Sequence, residues 1–330
     1  MSRKYSHLIG FALDHPWALT PGMLRVVASI LGDRLAGIGP EPGAIESALA
    51  ARKNDLPQPA RGGVAVIPFY GVVTPRANMI SESSGGTSFE RLGQHLRDAD
   101  RRADVKTIVF DVDSPGGSVA GAAEFAAQLR DVRTRKAVIA QINHQGASAA
   151  YWVMANATKI HATPSAIVGS LGVFSIHNDL SDALAKLGIK RTYISAGKYK
   201  LEGVDGAPLS DDGLAYRTEQ VARTYDRLIA DVAKGRGVSV TAVKSGYGEG
   251  RLVDADRALD LGMVDKIATL DETLERLLPA GTTLDPAALH PAPDTSQEPG
   301  DDARVTDQDR AADAQWQRRM DARLLELALP

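Results

Sequence analysis

Three short stretches hold residue types able to do covalent chemistry. The first is QGASAAYW, residues 145–152, where Ser148 stands among one glycine and three alanines ahead of two large aromatics. Small neighbours clear space for a substrate carbonyl, but a serine hydroxyl attacks only when a base takes its proton. The second is DVDSPGGSV, residues 111–119, a strand-like run that ends in Ser-Pro-Gly-Gly. Glycines let the backbone approach a reacting group closely, so the amides of Gly116 and Gly117 are candidate donors to an oxyanion. The third is ISAGKYKLEG, residues 194–203, with Lys198 and Lys200 two positions apart. A lysine that serves as base near neutral pH must drop from about 10.4 to nearer 7, a differential of roughly 4 to 5 kcal/mol. Burial away from carboxylates is one way to reach it.

Each stretch also has a structural reading. Ser148 sits where it would cap a helix, SPGG is a usable strand-to-helix turn, and loop lysines are ordinarily solvated. If the backbone of GKYK is extended, its two lysines point to opposite sides and one of them faces a cleft. Histidine is the alternative base. His144, His161 and His177 have no triad pattern around them and read as surface or satisfied core residues. His177, with Asp179 two positions on, is the best placed of the three.

The elements that must position these residues alternate between strand and helix. VAVIPFYGVV, VKTIVFDVD and KAVIAQI are buried-strand signals, and TKIHATP, AIVGSLGVFSI and KRTYISAG read as further strands. Between them SFERLGQHLRDADRR reads as a helix capped by Ser88. VAGAAEFAAQLRDVR, a segment from Ala147 onward and DALAKLG are also helical. A long helix is expected within residues 211–235, then a helix–strand–helix run from Arg251. This alternation predicts an α/β fold with a largely parallel sheet. LTPGMLRVVASILGDRLAG predicts an N-terminal helix, and PEPGAIESALAARKNDLPQPARGG a linker. These define an extension over 1–61 and a main domain over 62–278. The Pro/Asp-rich stretch 279–315 lacks the apolar content for a core and predicts a flexible linker. The end, 316–330, predicts a short helix.

Composition removes several classes. A chain of 330 residues with 44% hydrophobic and 24% charged content is long enough for one large α/β domain. A formal net charge of −3 gives no reason to expect nucleic acid as a partner. With no cysteine, thiolate chemistry and cysteine-ligated metal are excluded. No apolar run approaches the eighteen or so residues of a membrane span, and no signal peptide is expected.

Together, SPGG, GASAAYW, ATPSAIVGSLGV and GKYK, in that order, followed by GRLVDADRALDLGMVDKI, resemble the signal peptide peptidase A family of Ser-Lys serine proteases. The resemblance runs over roughly residues 62–278. It implies Ser148 as nucleophile and Lys200, rather than Lys198, as general base. It also implies oxyanion donors at Gly116, Gly117 and Ala149, and Ser170 as a hydroxyl that orients Lys200 or relays its proton. The implied fold is of the ClpP/crotonase type, a spiral of ββα units. No cofactor or metal is implied. HPWALTPGMLRVVASIL resembles the leader of the family's phage and prophage branch of head maturation proteases. That branch implies capsid and scaffold proteins as substrates, a scaffold-like C-terminal tail, and a location in the bacterial cytoplasm within the procapsid. The family implies a homo-oligomeric ring, which leaves open whether Ser148 and Lys200 pair within one chain or between neighbouring protomers. Three alternatives stay open: an unanchored peptidase for leftover signal peptides, a non-catalytic assembly protein with a protease-like fold, and a crotonase-type acyl-CoA enzyme.

Overall fold

The computed structural model describes residues 17–20, 23, 59–60, 62–76, 86–204 and 206–278. Most of the predicted N-terminal helix, the 279–315 linker and the 316–330 helix lie outside these residues. Residues 1–284 and 285–330 cluster as separate units, and only the first contains described residues.

In chain order the strands are β1 (Trp17–Leu19), β2 (Pro59–Ala60), β3 (Val64–Tyr70), β4 (Val73–Thr74), β5 (Thr87–Ser88), β6 (Thr107–Ser114), β7 (Gly116–Ser118), β8 (Ala137–Ala147), β9 (Lys159–Ala162), β10 (Ile167–Gly169), β11 (Leu252–Asp254) and β12 (Lys266–Ile267). The helices are α1 (Phe89–Arg101), α2 (Ala122–Val132), α3 (Ala149–Met154), α4 (Ser181–Lys186), α5 (Asp211–Arg236), α6 (Val240–Gly246), α7 (Ala255–Asp260) and α8 (Leu270–Leu277).

The main sheet runs β11-β10-β8-β6-β3-β2, and its β3, β6, β8 and β10 are mutually parallel. β8 is long enough to share its outer edge. Residues 139–142 pair with β9, and residues 145–147 pair with β10. A smaller sheet, β1-β7-β4-β5, stands beside the carboxyl ends of β3 and β6. The succession β3–β4–β5–α1, with three strands, and then β6–β7–α2, with two, runs strands into a helix twice over, in keeping with the ββα units that the ClpP/crotonase-type resemblance implies.

Side-chain periodicity explains the layers. Along β6, Ile108, Phe110 and Val112 point to one face, where they meet Ile67 and Phe69 of β3 and Val138, Ala140 and Ile142 of β8. α1 turns Phe89, Leu92, Leu96 and Ala99 onto the core, and α2 turns Phe125, Ala126 and Leu129. Phe125 meets Phe110 edge-on, with centroids 6.0 Å apart. Ser88 caps α1 as the sequence predicts, accepting from the Arg91 amide at 3.2 Å.

Three local expectations come out differently. SPGG does not lead straight into a helix: Gly116–Ser118 is itself a strand, and α2 starts only at Ala122. KRTYISAG is not a strand. Residues 185–200 are exposed throughout, and Thr, Tyr and Ile cannot build a ladder where, among the described residues, no strand pairs with them. Lys200 instead lies in a turn, its amide donating to the Gly197 carbonyl at 3.1 Å, so the extended-backbone alternation of Lys198 and Lys200 does not apply. α6 was not foreseen from the sequence. Among the described residues no helix is long and apolar enough to cross a membrane.

Candidate active site

Ser148 occupies the sharp turn from β8 into α3. Its backbone adopts φ 55° and ψ −118°, a combination that non-glycine residues avoid and that costs of order 1–3 kcal/mol. Two bonds hold it there: the Ser148 amide donates to the Gly169 carbonyl at 2.6 Å, and the Trp152 amide donates to the Ser148 carbonyl at 2.8 Å. α3 itself is pinned by the aromatics that end QGASAAYW. The Tyr151 hydroxyl donates to the Met263 carbonyl at 2.7 Å, and Trp152 Nε1 donates to Asp231 on α5 at 3.0 Å. Those two side chains are structural anchors.

The helix-cap reading of Ser148 fails on geometry. Ser148 is the residue before α3, yet its side chain makes no capping bond. Oγ is buried and has no protein hydrogen-bond partner. A strand-to-helix turn that strains a serine and leaves its hydroxyl unbonded has the form of a nucleophile elbow. Small residues two before and two after, Gly146 and Ala150, are the sequence signal for it.

The glycine turn stands against this elbow. Gly116 has φ +96°, and a Cβ there would lie 2.9 Å from the Ala147 carbonyl oxygen and 2.9 Å from the Ala149 nitrogen. Only glycine leaves the space between them open. Ala149 opens α3, so its amide belongs to the first turn, whose donors have no helical acceptor. The Gly116 amide, by contrast, is turned to Ser114 Oγ at 3.2 Å, and that hydroxyl donates to the Gly71 carbonyl at 2.6 Å. Gly117 lies in β7 opposite Ala18 of β1. Of the three predicted oxyanion donors, the Gly116 amide is engaged by Ser114 Oγ and Gly117 is paired with Ala18, while Ala149 stands at the first turn of α3.

Ser170 follows β10, whose Gly169 is in register with Ala147, so Ser170 stands beside Ser148 across the parallel ladder. It too has a positive φ, 51°, and its amide donates to the Arg251 carbonyl at 2.7 Å. Lys200 is not with them. It is exposed, and the unpartnered Ser148 Oγ has no lysine within bonding distance. Lys198 lies over the Tyr199 ring, 4.6 Å from its centroid. A cavity of about 690 Å³ adjoins this region, lined by Ser175, Tyr199, Glu202, Tyr216 and Arg217 among others, with no contribution from Ser148. None of the three histidines bonds Ser148 Oγ, and His177 Nδ1 is itself buried without a partner. His144 is exposed, His161 Nδ1 meets Thr273 Oγ1 at 2.9 Å, and His177 Nε2 meets the Ala207 carbonyl at 3.0 Å.

Two supporting groups escaped the sequence reading. Asp111 is buried on β6 and accepts hydrogen bonds from Tyr70 of β3 and Asn143 of β8, tying together three strands near their carboxyl ends. Burial and the Asp111 carboxylate push the Tyr70 phenol upward, so it remains a donor. Asp265, in GMVDKI, bonds Arg236 at 2.9 Å and accepts from the Ile160 amide at 2.8 Å. Burial raises its carboxyl, but these bonds outweigh that and hold it below the usual range. Acidic residues inside buried strands were the available signal for the first group. The second depends on contacts some thirty and one hundred positions apart.

Fold and site together define an α/β protein with a serine presented at the end of a central parallel strand. Residues 130–280 match the model of peptidase family S49. It is similar to capsid assembly protease C of Escherichia phage lambda, 28% identical over 82% of this chain and 65% of that protein. It is also similar to head-tail preconnector protein GP5 of Enterobacteria phage P21, 26% identical over 83% of this chain and 57% of that one. The chain thus spans less than two thirds of the length of these curated relatives. Among solved structures it is similar to ClpP1 of Listeria monocytogenes, with a TM-score of 0.40 and 14% identity over 62% of this chain and 91% of that one.

Proposed function

We propose that this chain is a serine endopeptidase in which Ser148 is the nucleophile and Lys200 the general base. The observation that carries the reading is the meeting of a strained, buried, unbonded Ser148 hydroxyl with the Gly116 turn and the Ala149 amide. Ser148 Oγ attacks the peptide carbonyl carbon while the Lys200 amine takes its proton. The tetrahedral oxyanion is held by the amides of Gly117 and Ala149, with Gly116 keeping the space clear. The C–N bond breaks as the proton passes to the departing amine. Lys200 then deprotonates a water that hydrolyses the acyl ester, and Ser170 orients the lysine. We assign this chemistry to the domain over 62–278, which β1 and β2 of the segment 1–61 join through their pairing with β7 and β3.

Lys200 reaches Ser148 in an oligomeric ring, supplied by a neighbouring protomer. Its segment supports this reading. Ile194 is 95% exposed, and Leu187, Tyr199, Leu214 and Tyr216 are exposed as well. Exposed large apolar side chains of this kind favour a protein interface. Burial there would also remove water from the ammonium and favour the neutral base.

The relatives named for capsid assembly and head-tail connection support capsid and scaffold proteins as substrates, met inside the procapsid of a bacterial host. The test is co-expression of the chain, and of its Ser148→Ala and Lys200→Ala variants, with the capsid protein encoded beside it, followed by mass mapping. Defined fragments from the parent alone are expected. Identical fragments from all three would overturn the Ser148/Lys200 assignment.

A further inference from the structure

The wall of the site is already covered by part of the same chain. β1 lies antiparallel on β7, with Trp17 opposite Ser118, Ala18 opposite Gly117 and Leu19 opposite Gly116. The Thr20 amide donates to the Pro115 carbonyl at 3.2 Å. Bonded and unbonded pairs alternate along an antiparallel ladder, so the next bonded pair is Ala18 with Gly117. In that pair the Gly117 amide donates to the Ala18 carbonyl. The other edge of β1 is bonded too. The Trp17 amide donates to the Phe174 carbonyl at 2.9 Å, and the Phe174 amide donates back to the Trp17 carbonyl at 3.0 Å. β1 therefore fills a trench whose walls are the SPGG strand and the chain just beyond Ser170. Trp17, Ala18, Leu19 and Thr20 are all buried in it.

The register is aimed at the serine. The point where a Gly116 Cβ would stand is 2.4 Å from the Ala18 carbonyl oxygen and 2.9 Å from the Ala149 nitrogen. Ala18 thus presents its carbonyl beside the two amides assigned to the oxyanion. We propose that Trp17–Thr20 is a built-in pseudosubstrate: it occupies the trench that binds an extended substrate peptide, and it must leave before a substrate strand can enter. This rests on the reading of Ser148 as nucleophile. It also specifies what the trench takes, namely a strand with a small residue opposite Gly117 and a large apolar residue before it. An incoming peptide gains the same backbone bonds on both edges, the usual economy of strand addition. The N-terminal segment therefore sets the resting activity by competing with substrate.

The test uses the full-length protein and three measurements. Hydrolysis of a fluorogenic peptide with Phe-Ala before the cut is compared for the parent and Trp17→Gly. The expected result is a rise of tenfold or more in kcat/KM for the variant, mainly through a lower KM. A nine-residue peptide of the sequence DHPWALTPG, residues 14–22, is added in trans. It is expected to inhibit competitively, and more strongly in the variant, where β1 is weakened. Hydrogen exchange of the parent, with and without an excess of an Ala-rich peptide, is expected to show the Trp17, Ala18 and Thr20 amides losing protection when the peptide binds. Equal kcat/KM in a folded variant, no inhibition by DHPWALTPG and undiminished protection of β1 with peptide bound would overturn the proposal. Absence of hydrolysis by every form would count against Ser148 as nucleophile. The exchange experiment needs no turnover, and would still support or overturn the occupancy of the trench.

Discussion

Replacing Ser148 should stabilise the fold while abolishing its chemistry, and the structure supplies the sizes. Two costs meet at this residue. Its φ of 55° with ψ −118° is a strained combination for any side chain, worth about 1–3 kcal/mol. Its Oγ is buried with no protein partner, which for a hydroxyl costs about 1–3 kcal/mol. Ser148→Ala removes the second cost and keeps the first, so a gain of about 1–3 kcal/mol is expected. Ser148→Gly removes both but adds about 0.5–1 kcal/mol of chain entropy in the unfolded state, so it should be at least as stable as the alanine variant. For a folded unit of this size each kcal/mol moves Tm by about 2–4 °C. The assay is paired thermal and urea unfolding of the three proteins, with peptide hydrolysis measured alongside. Both variants should melt several degrees higher and be inactive. A lower Tm for both would refute the claim that the elbow is strained and its hydroxyl unbonded.

Gly116→Ala places a methyl against three backbone atoms at φ +96°, so kcat should fall by about a hundredfold or more, as when an oxyanion donor is lost. Activity within threefold of the parent would count against that wall. Ile194→Asp puts a charge on a 95% exposed apolar side chain, so it should leave Tm unchanged yet shift sedimentation toward the monomer and remove peptidase activity. Asp265 has a folded pKa held below its unfolded value, so its contribution is fully present above the unfolded carboxylate range, near pH 4. That contribution is lost as pH falls through the lower folded value. Asp265→Asn should therefore flatten the acid limb of stability against pH, read from urea midpoints between pH 6 and pH 2.

The sequence by itself determined the architecture. β3, β6 and β8 are written as apolar runs because both faces of a central parallel strand are covered, and such runs are readable without partners. Ser88 at the head of α1 and the 26-residue α5 were likewise local in origin, set by a cap and by helical periodicity. The order of SPGG and GASAAYW could be read as chemistry, but not the conformation that makes it so. Only the tertiary structure decided that Ser148 takes a positive φ, because the bond from its amide to Gly169 and the anchoring of Tyr151 and Trp152 come from distant segments. It also decided that Gly116 faces Ser114 and Ala149, that GKYK is a turn rather than a strand, and that Trp17–Leu19 lies on Gly116–Ser118. That last pairing joins residues about a hundred positions apart. Backbone hydrogen bonds carry no side-chain signature, so the strand that pairs with Gly116–Ser118 resembles any short apolar run until the chain has folded onto it.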